Sequence, residues 1–262
     1  MKNLYATPSG LAGCAIVLFI VLVVACAPLL APFDPTQSSV FFLSPPESTH
    51  WLGTDDLGRD TFSRLLYGGR SSLVVGVGAS VIALIIGLPI GLAAGYMGGR
   101  ADMVARQIID LFVALPGLVL ALIIAAVMGS TLLNLMVVLG LVNWPRVARL
   151  ARGQAFAIRE SVFVEAAHAA GAGTAWIIYA HIWPNLQRVV AAQFALTVAY
   201  SIFTSASLSF LGLGVPPPTP DWGAMVRTGF DYLAINPTMS LGPSAAVALT
   251  VFGFYLVGRS IE

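Results

Sequence analysis

This sequence has very little charge. Of its 262 residues, 10% are Asp, Glu, Lys or Arg, where a soluble domain averages roughly 25%. So few charges cannot cover a water-exposed surface of ordinary kind. Lysine is almost missing, and Lys2 is the only one. A P-loop needs a lysine at the nucleotide phosphates, so this chain is not its own ATPase by that mechanism. The two cysteines, Cys14 and Cys26, lie in one apolar run without metal-ligand spacing, which makes them packing or lipid-facing residues. A G-x-S-x-G elbow is absent, and the three histidines, His50, His168 and His181, fall in two different loops. A Ser–His hydrolase therefore has no support. The net charge of +1, with basic residues scattered, forms no nucleic-acid patch.

Apolar residues are what the chain has in excess, at 58%. Residues 3–33, 71–99, 111–145, 189–220 and 232–258 contain no Asp, Glu, Lys or Arg. A membrane-spanning helix needs about 20 predominantly apolar residues. The run 111–145 is too long for one span and breaks at Gly129-Ser130-Thr131. The expected fold class is thus an all-α membrane protein with about six transmembrane helices, near 10–31, 72–97, 103–128, 132–150, 190–211 and 241–258. They form a single domain over 1–262, with an outer loop at 32–71 and an inner loop at 152–188. The N-terminal apolar run, followed by VVACA, has some likeness to a signal peptide. It is longer than the roughly 7–15 residues of such a segment, so it reads as a retained first span.

Basic residues set the orientation. With the N-terminus in the cytoplasm, the inner side holds Lys2, Arg100, Arg106, Arg146, Arg149, Arg152, Arg159, Arg188 and Arg259. The outer side holds Arg59, Arg64, Arg70 and Arg227. Nine against four places both termini and the loop 152–188 in the cytoplasm.

That inner loop carries the strongest pattern outside the spans. ARGQAFAIRESVFVEAAHAAGAG reads as helix to Ala170, stopped by Gly171 and Gly173. A second short helix, TAWIIYAHIW, follows, with Thr174 as its expected cap and Pro184 at its end. The result is a helix–turn–helix hairpin. Ala166, Ala167, Ala169, Ala170 and Ala172 leave little bulk, so another backbone can approach closely. An amphipathic hairpin resting on lipid fits the pattern equally well.

Three further constellations have a structural and a functional reading. Asp55, Asp56, Arg59 and Asp60, with His50 nearby, form either a docking surface, a metal-contacting patch, or a turn and N-cap with local pairing. Asp102, Arg106 and Asp110 share one helix face at four-residue spacing and can neutralise one another or act in gating. Gln193, Thr197, Tyr200, Ser201, Thr204 and Ser205 recur at helical spacing in the fifth span. Such a stripe lines a water-filled path or bonds helices together. Gly87, Gly91 and Gly95 read as helix-packing residues, and Pro89, Pro116 and Pro145 as sites of kinks.

The inner loop resembles the EAA loop of ABC importer permeases. The motif runs E-A-A, three residues, G, nine residues, an apolar position, one residue, then L-P. Here these are Glu165-Ala166-Ala167, Gly171, His181, Trp183 and Pro184, with His181 and Trp183 as departures. HWLGTDDLGRDTFSRLLYGGRSSL, GLAAGYMGGRAD, SLSFLGLG and PPPTPDWG extend the resemblance over about residues 28–258. They are similar to the dipeptide/oligopeptide/nickel branch, and within it to the C-type permease with a long first outer loop. Members usually continue past the last span with an acidic, arginine-containing tail, whereas this chain ends at GRSIE.

The resemblance implies a non-catalytic permease subunit in a bacterial cell membrane, the inner one if the cell is Gram-negative. It implies a coupling helix docked on a separate ATPase, with Glu165 facing a basic residue and Gly171 making the turn. Implied partners are a second, related permease, two ATPase subunits and an extracytoplasmic solute-binding protein. ATP and Mg²⁺ would sit on the ATPases, with no cofactor, metal or nucleic acid on this chain. It inclines the fifth-span stripe toward a translocation path. The implied cargo is a dipeptide or oligopeptide, with nickel or another metal chelate, haem or glutathione as alternatives. A stand-alone secondary transporter would need an ionisable residue near the midplane, and every charge lies near a helix end or in a loop. A purely structural scaffold would not need the glycine turn.

Overall fold

A computed structural model describes residues 7–261. The first helix, α1 (Pro8–Ala25), is capped by Thr7, whose hydroxyl accepts from the Gly10 amide at 3.2 Å. The expected first span extends to 31, but the helix breaks at Cys26. A separate turn, α2 (Ala27–Leu30), follows and carries Pro28 in its first turn. Proline lacks the N–H needed to continue α1.

The second long helix, α3 (Thr61–Met97), is 37 residues long. It begins well before residue 72, so the outer loop is shorter than the sequence implies. The reason is Asp60, whose carboxylate accepts from the Ser63 amide at 2.7 Å and starts the helix inside the loop. Pro89 lies within α3 without ending it.

The expected third span, 103–128, is two helices, α4 (Gly99–Ala114) and α5 (Gly117–Met128), bent by 87°. Leu115 takes an extended backbone, as residues preceding proline prefer, and Pro116 has no amide to donate. Next comes α6 (Leu132–Arg159), capped by Thr131 and containing Pro145. It runs nine residues past the expected inner end at 150.

The inner loop holds α7 (Val162–Ala169) and α8 (Thr174–Ile177). The helix expected to run unbroken to Ala170 is interrupted at Glu160 and Ser161. Gly173, not Thr174, is the residue before α8, and no side chain caps it. The second hairpin helix does not stop at Pro184. It passes through a π-helical turn, Ile178–Ile182, directly into α9 (Trp183–Phe210). Pro184 lies inside this continuous helix, directly after the π-helical turn, so the helix runs on past a residue with no amide to donate. The chain closes with α10 (Trp222–Asp231), capped by Asp221, and α11 (Thr238–Ile261).

Helices α1, α3, α11 and the continuous run Thr174–Phe210 are each long and apolar enough to cross a membrane, and the bent α4–α5 pair makes a fifth candidate. The expected fourth span coincides with α6. Its 28 residues are long enough, but Arg146, Arg149, Arg152 and Arg159 occupy its second half.

The most intimate packing is between α3 and α6. Gly87, Gly91 and Gly95 face the carbonyl oxygens of Trp144, Ala148 and Arg152, one glycine per carbonyl. Both series step by four residues, one helical turn each. A β-carbon at Gly87 would lie 2.5 Å from the Trp144 oxygen. The glycines bring the backbones into contact, as small residues do where no hydrophobic drive separates lipid from protein. Trp222 ties α10 to α3 by donating its indole N–H to the Leu65 carbonyl at 2.8 Å. Arg70 of α3 donates to the Val24 and Ala25 carbonyls at the end of α1.

Candidate functional site

The hairpin of α7 and α8 stands on the end of the bundle formed by the C-terminal halves of α3 and α6. Val164 is its buried peg. It packs in a cluster with Leu92 and Tyr96 of α3, Ala151 and Ala155 of α6, and Ile177, Ile182, Leu186 and Val190 beyond the turn. The turn itself is at Gly171, with φ of +81°. The Gly171 and Ala172 amides donate to the His168 and Ala167 carbonyls, satisfying the end of α7. Gly173 has an ordinary φ of −73° and needs no glycine for its backbone.

Of the expected coupling residues, Glu165, Ala166, Gly171, Gly173 and Pro184 are exposed, and Ala167 is half-buried against the cluster. Around them stand large exposed side chains: Val162 at 81%, Tyr179 at 70% and Trp176 at 60% exposure. The hairpin thus has apolar side chains buried against the bundle and other large apolar side chains left exposed.

Two residues that the sequence reading did not assign hold the hairpin to α3. The Tyr96 hydroxyl and His168 Nε2 share a hydrogen bond of 2.7 Å. Arg159 donates to the Tyr96 carbonyl at 3.3 Å and pairs with Glu160 at 2.7 Å. Tyr96 gave a weak signal in sequence, as a lone phenol at the inner end of a small-residue span.

The Asp102, Arg106 and Asp110 face is paired, but only partly within itself. Arg106 reaches Asp102 at 3.1 Å. Arg152 of α6 makes the closer contact to Asp102, including a bond of 2.9 Å from Nη2. Asp110 pairs with Arg149 of α6 at 2.8 Å instead of with Arg106.

The fifth-span stripe lies inside the chain. Thr197, Ser201 and Thr204 are buried, and Gln193 and Tyr200 are half-buried. Thr197 and Thr204 donate back to the Gln193 and Tyr200 carbonyls at 2.7 and 2.8 Å. Ser201 accepts from Asn143 of α6 at 3.1 Å. The Arg146 guanidinium sits over the Tyr200 ring, 3.8 Å from its centroid.

The outer acidic group is a folded knot. Asp55 accepts from the Arg59 amide and side chain at 2.9 and 2.7 Å, and Arg64 lies 3.4 Å away. His50 bonds Asp60 at 2.8 Å, and Thr54 bridges to Asp60 through the backbone. Asp55, Arg59 and Asp60 are buried, and Asp56 is half-buried. Among the described residues, no group of three His, Cys, Asp or Glu is placed to hold a metal. Nearby, burial pushes the Asp221 carboxyl above its ordinary pKa, against the opposing bond from the Ala224 amide.

The family described as binding-protein-dependent transport system inner membrane component matches residues 87–262, which include the hairpin, α6 and α9. The chain belongs to this family. The N-terminal TM domain of oligopeptide transport permease C matches residues 1–46 of the permease. The permease is 38% identical over 250 residues to the glutathione transport system permease protein GsiD of Pectobacterium atrosepticum, covering 94% of this chain and 83% of that one. It is 35% identical over 254 residues to the oligopeptide transport system permease protein OppC of Bacillus subtilis, with 97% and 83% covered. It is 37% identical over 260 residues to the probable D,D-dipeptide transport system permease protein DdpC of Escherichia coli K12, with 99% and 87% covered. A chain of the MetNI methionine ABC transporter, in an inward-facing conformation, has the same fold, with a TM-score of 0.63 at 18% identity over 76% of this chain and 96% of that one. The protein is an all-helical membrane permease of a binding-protein-dependent transport system.

Proposed function

We propose that this permease forms half of the translocation path of an ATP-driven importer, and that the α7–α8 hairpin is where separate ATPase subunits grip it. The observation that carries this reading is the hairpin's exposed apolar surface. Val164 seats the hairpin on the bundle, while Val162, Trp176 and Tyr179 stay exposed around its small residues. Exposed apolar area of this kind marks a surface that another body covers. Its place in the EAA motif supports an ATPase groove over lipid, with Glu165 facing a basic residue.

The complete assembly would hold a second, related permease, two ATPase subunits and a solute-binding protein on the opposite side. ATP and Mg²⁺ belong to the ATPases, and this chain is non-catalytic. The nine-to-four bias of basic residues supports a cytoplasmic hairpin and cytoplasmic termini. Lys2, part of that bias, lies outside the described residues. ATP binding would close the ATPases, carry the hairpins inward and pivot the spans to an outward-open state. Gln193, Thr197, Tyr200, Ser201 and Thr204 are the candidate path. In the single chain Ser201 bonds Asn143 of α6, Thr197 and Thr204 bond back within α9, and Thr197, Ser201 and Thr204 are buried, so a path role requires the stripe to be uncovered by that pivot. Asp55, Asp56, Arg59 and Asp60 are the candidate outer docking segment, presented as a rigid knot.

The proposed cargo is a dipeptide or oligopeptide. The GsiD relatives support glutathione, itself a small peptide, as the second reading.

The test is a pull-down of the tagged chain from mild detergent, comparing wild type with Glu165→Lys. A P-loop ATPase and a second permease should co-purify with wild type, and the ATPase should be lost from the variant. Equal ATPase recovery in both would remove Glu165 from the grip. No ATPase with wild type would sink the docking reading.

A further inference from the structure

The short helix α7 has an unusual mechanical problem. It joins α6 through Glu160 and Ser161, and Ser161 has an extended backbone with ψ of 146°. A helix joined by one extended residue can swing about that joint. To be of use as a handle, it must be fixed to the bundle at a second point.

That second point lies on α3. Val164 and His168 are four residues apart, one above the other on the same face of α7. Leu92 and Tyr96 are likewise four apart on α3. The two faces meet as two rungs. The first is apolar, with Val164 fully buried in the cluster that contains Leu92 and Tyr96. The second is the 2.7 Å hydrogen bond between the Tyr96 hydroxyl and His168 Nε2. The two rings are nearly parallel, 4° apart, with centroids 6.0 Å from one another. Among the described residues, this is the one side-chain hydrogen bond that joins α7 to another helix. Arg159 braces the same place by donating to the Tyr96 carbonyl at the end of α3.

His168 is also placed to receive force from outside. It is exposed on the hairpin surface, while Tyr96 beneath it is buried. Behind Tyr96, α3 is fused to α6 by the Gly87, Gly91 and Gly95 contacts. A displacement of α7 can pass along the chain at either end, through the joint into α6 or through the Gly171 turn and α8 into α9. It can also pass sideways, across the Val164 and His168 rungs into α3.

We propose that Tyr96 and His168 are positioning residues that lock α7 to the α3–α6 pair, so that hairpin and pair move as one body during the transport cycle. The inference rests on the docking reading above and adds the link by which docking is transmitted.

The experiment uses the full complex in lipid vesicles. Spin labels go on cysteines at Met97 and Phe163, exposed positions not placed in the ATPase grip, with Cys14 and Cys26 replaced by Ala. The α3–α7 distance is measured without nucleotide and after trapping with ATP and vanadate. Wild type should give one narrow distance in both states. Tyr96→Phe keeps the ring and removes only the hydroxyl, and should raise the population outside the main peak severalfold. His168→Ala should do the same, and His168→Gln, which retains a hydrogen-bonding group, should restore the narrow peak. The double variant Tyr96→Phe with His168→Ala should broaden no further than either alone. A Tyr96→Phe complex with the wild-type distribution in both states would overturn the lock. ATPase recovery with the same samples separates the two claims. ATPase bound with an unchanged Tyr96→Phe distance defeats the lock alone, and no ATPase bound to wild type defeats the docking reading on which it rests.

Discussion

Gly91 of α3 lies directly against the carbonyl oxygen of Ala148 in α6, so close that any β-carbon at residue 91 would overlap it. The same holds one turn above and below, at Gly87 and Gly95. Because the obstructing atoms are backbone, no side-chain rotation relieves the overlap. Gly91→Val should therefore destabilise the permease by about 1–3 kcal/mol or more, the cost of overpacking. Gly153 in α6 has open space around it, and Gly153→Ala should stabilise by about 0.5–1 kcal/mol through lost chain entropy. Melting in detergent checks both, and equal responses would show that the close approach has no energetic weight.

The two hairpin glycines should behave differently. Gly171 has φ of +81°, and Gly173 has φ of −73° with open space. Gly171→Ala should strain the turn by about 1–2 kcal/mol and reduce ATPase co-purification. Gly173→Ala should leave it near wild type. Gly171→Val should uncouple ATP hydrolysis from transport while membrane insertion is retained. Normal transport by that variant would count against the hairpin as the coupling element.

Asp102 holds arginines from two helices, whereas Asp110 holds one at the surface. Asp102→Asn should cost about 1.5–3 kcal/mol, the range for hydrogen bonds to charged groups. The exposed Asp110–Arg149 pair should be worth about 0–1 kcal/mol, so Asp110→Asn should hardly shift the melting temperature. The reverse order would mean that the α4–α6 junction is held by something other than Asp102.

In the outer knot, Asp60 both caps α3 and bonds His50. Asp60→Ala should destabilise by about 0.5–2 kcal/mol from the cap alone. Asp56 is the half-buried member of the segment and, among the described residues, makes no ion pair. Asp56→Asn keeps the shape of the side chain and removes its charge, so it should shift melting little and weaken capture of the loaded binding protein in a pull-down. Unchanged capture would remove Asp56 from the docking surface.

Asp221 sets a pH dependence whose sign follows from burial. Its carboxyl titrates above the ordinary 3.8, so the folded state holds the proton more tightly than the unfolded chain. Stability is then lost as pH rises from the unfolded value through the raised folded one. Asp221→Asn removes that loss and keeps an oxygen for the Ala224 amide. The melting advantage of the variant should grow with pH over that window and level off above it. An advantage independent of pH would mean that the buried carboxyl does not titrate differently in the two states.

The sequence already determined the class of this protein. Charge-free runs of bilayer length dictate apolar helices, because lipid offers no partner for an unpaired amide or a lone charge. The absence of a second lysine excludes a P-loop. The EAA spacing with Gly171 marks the hairpin, because a left-handed turn after a helix favours glycine. The helix ends were less legible. Asp60 starts α3 eleven residues before the charge-free run begins, and Pro116 turns the chain by 87° where hydropathy alone reads one span. Both effects are local, yet hydropathy averages over them.

Tertiary structure alone decided which residues meet. Asp102 has a partner four residues along its own helix, but the closer cation is Arg152, fifty residues away. The fifth-span stripe has the spacing of a lined path, and in the folded chain Ser201 faces Asn143. Tyr96 and His168 are separated by 72 residues and share no pattern. Their contact exists because three glycines let α3 and α6 touch, which sets the end of α3 beneath α7. Periodicity records which face of a helix is apolar. It does not record which other helix that face will find.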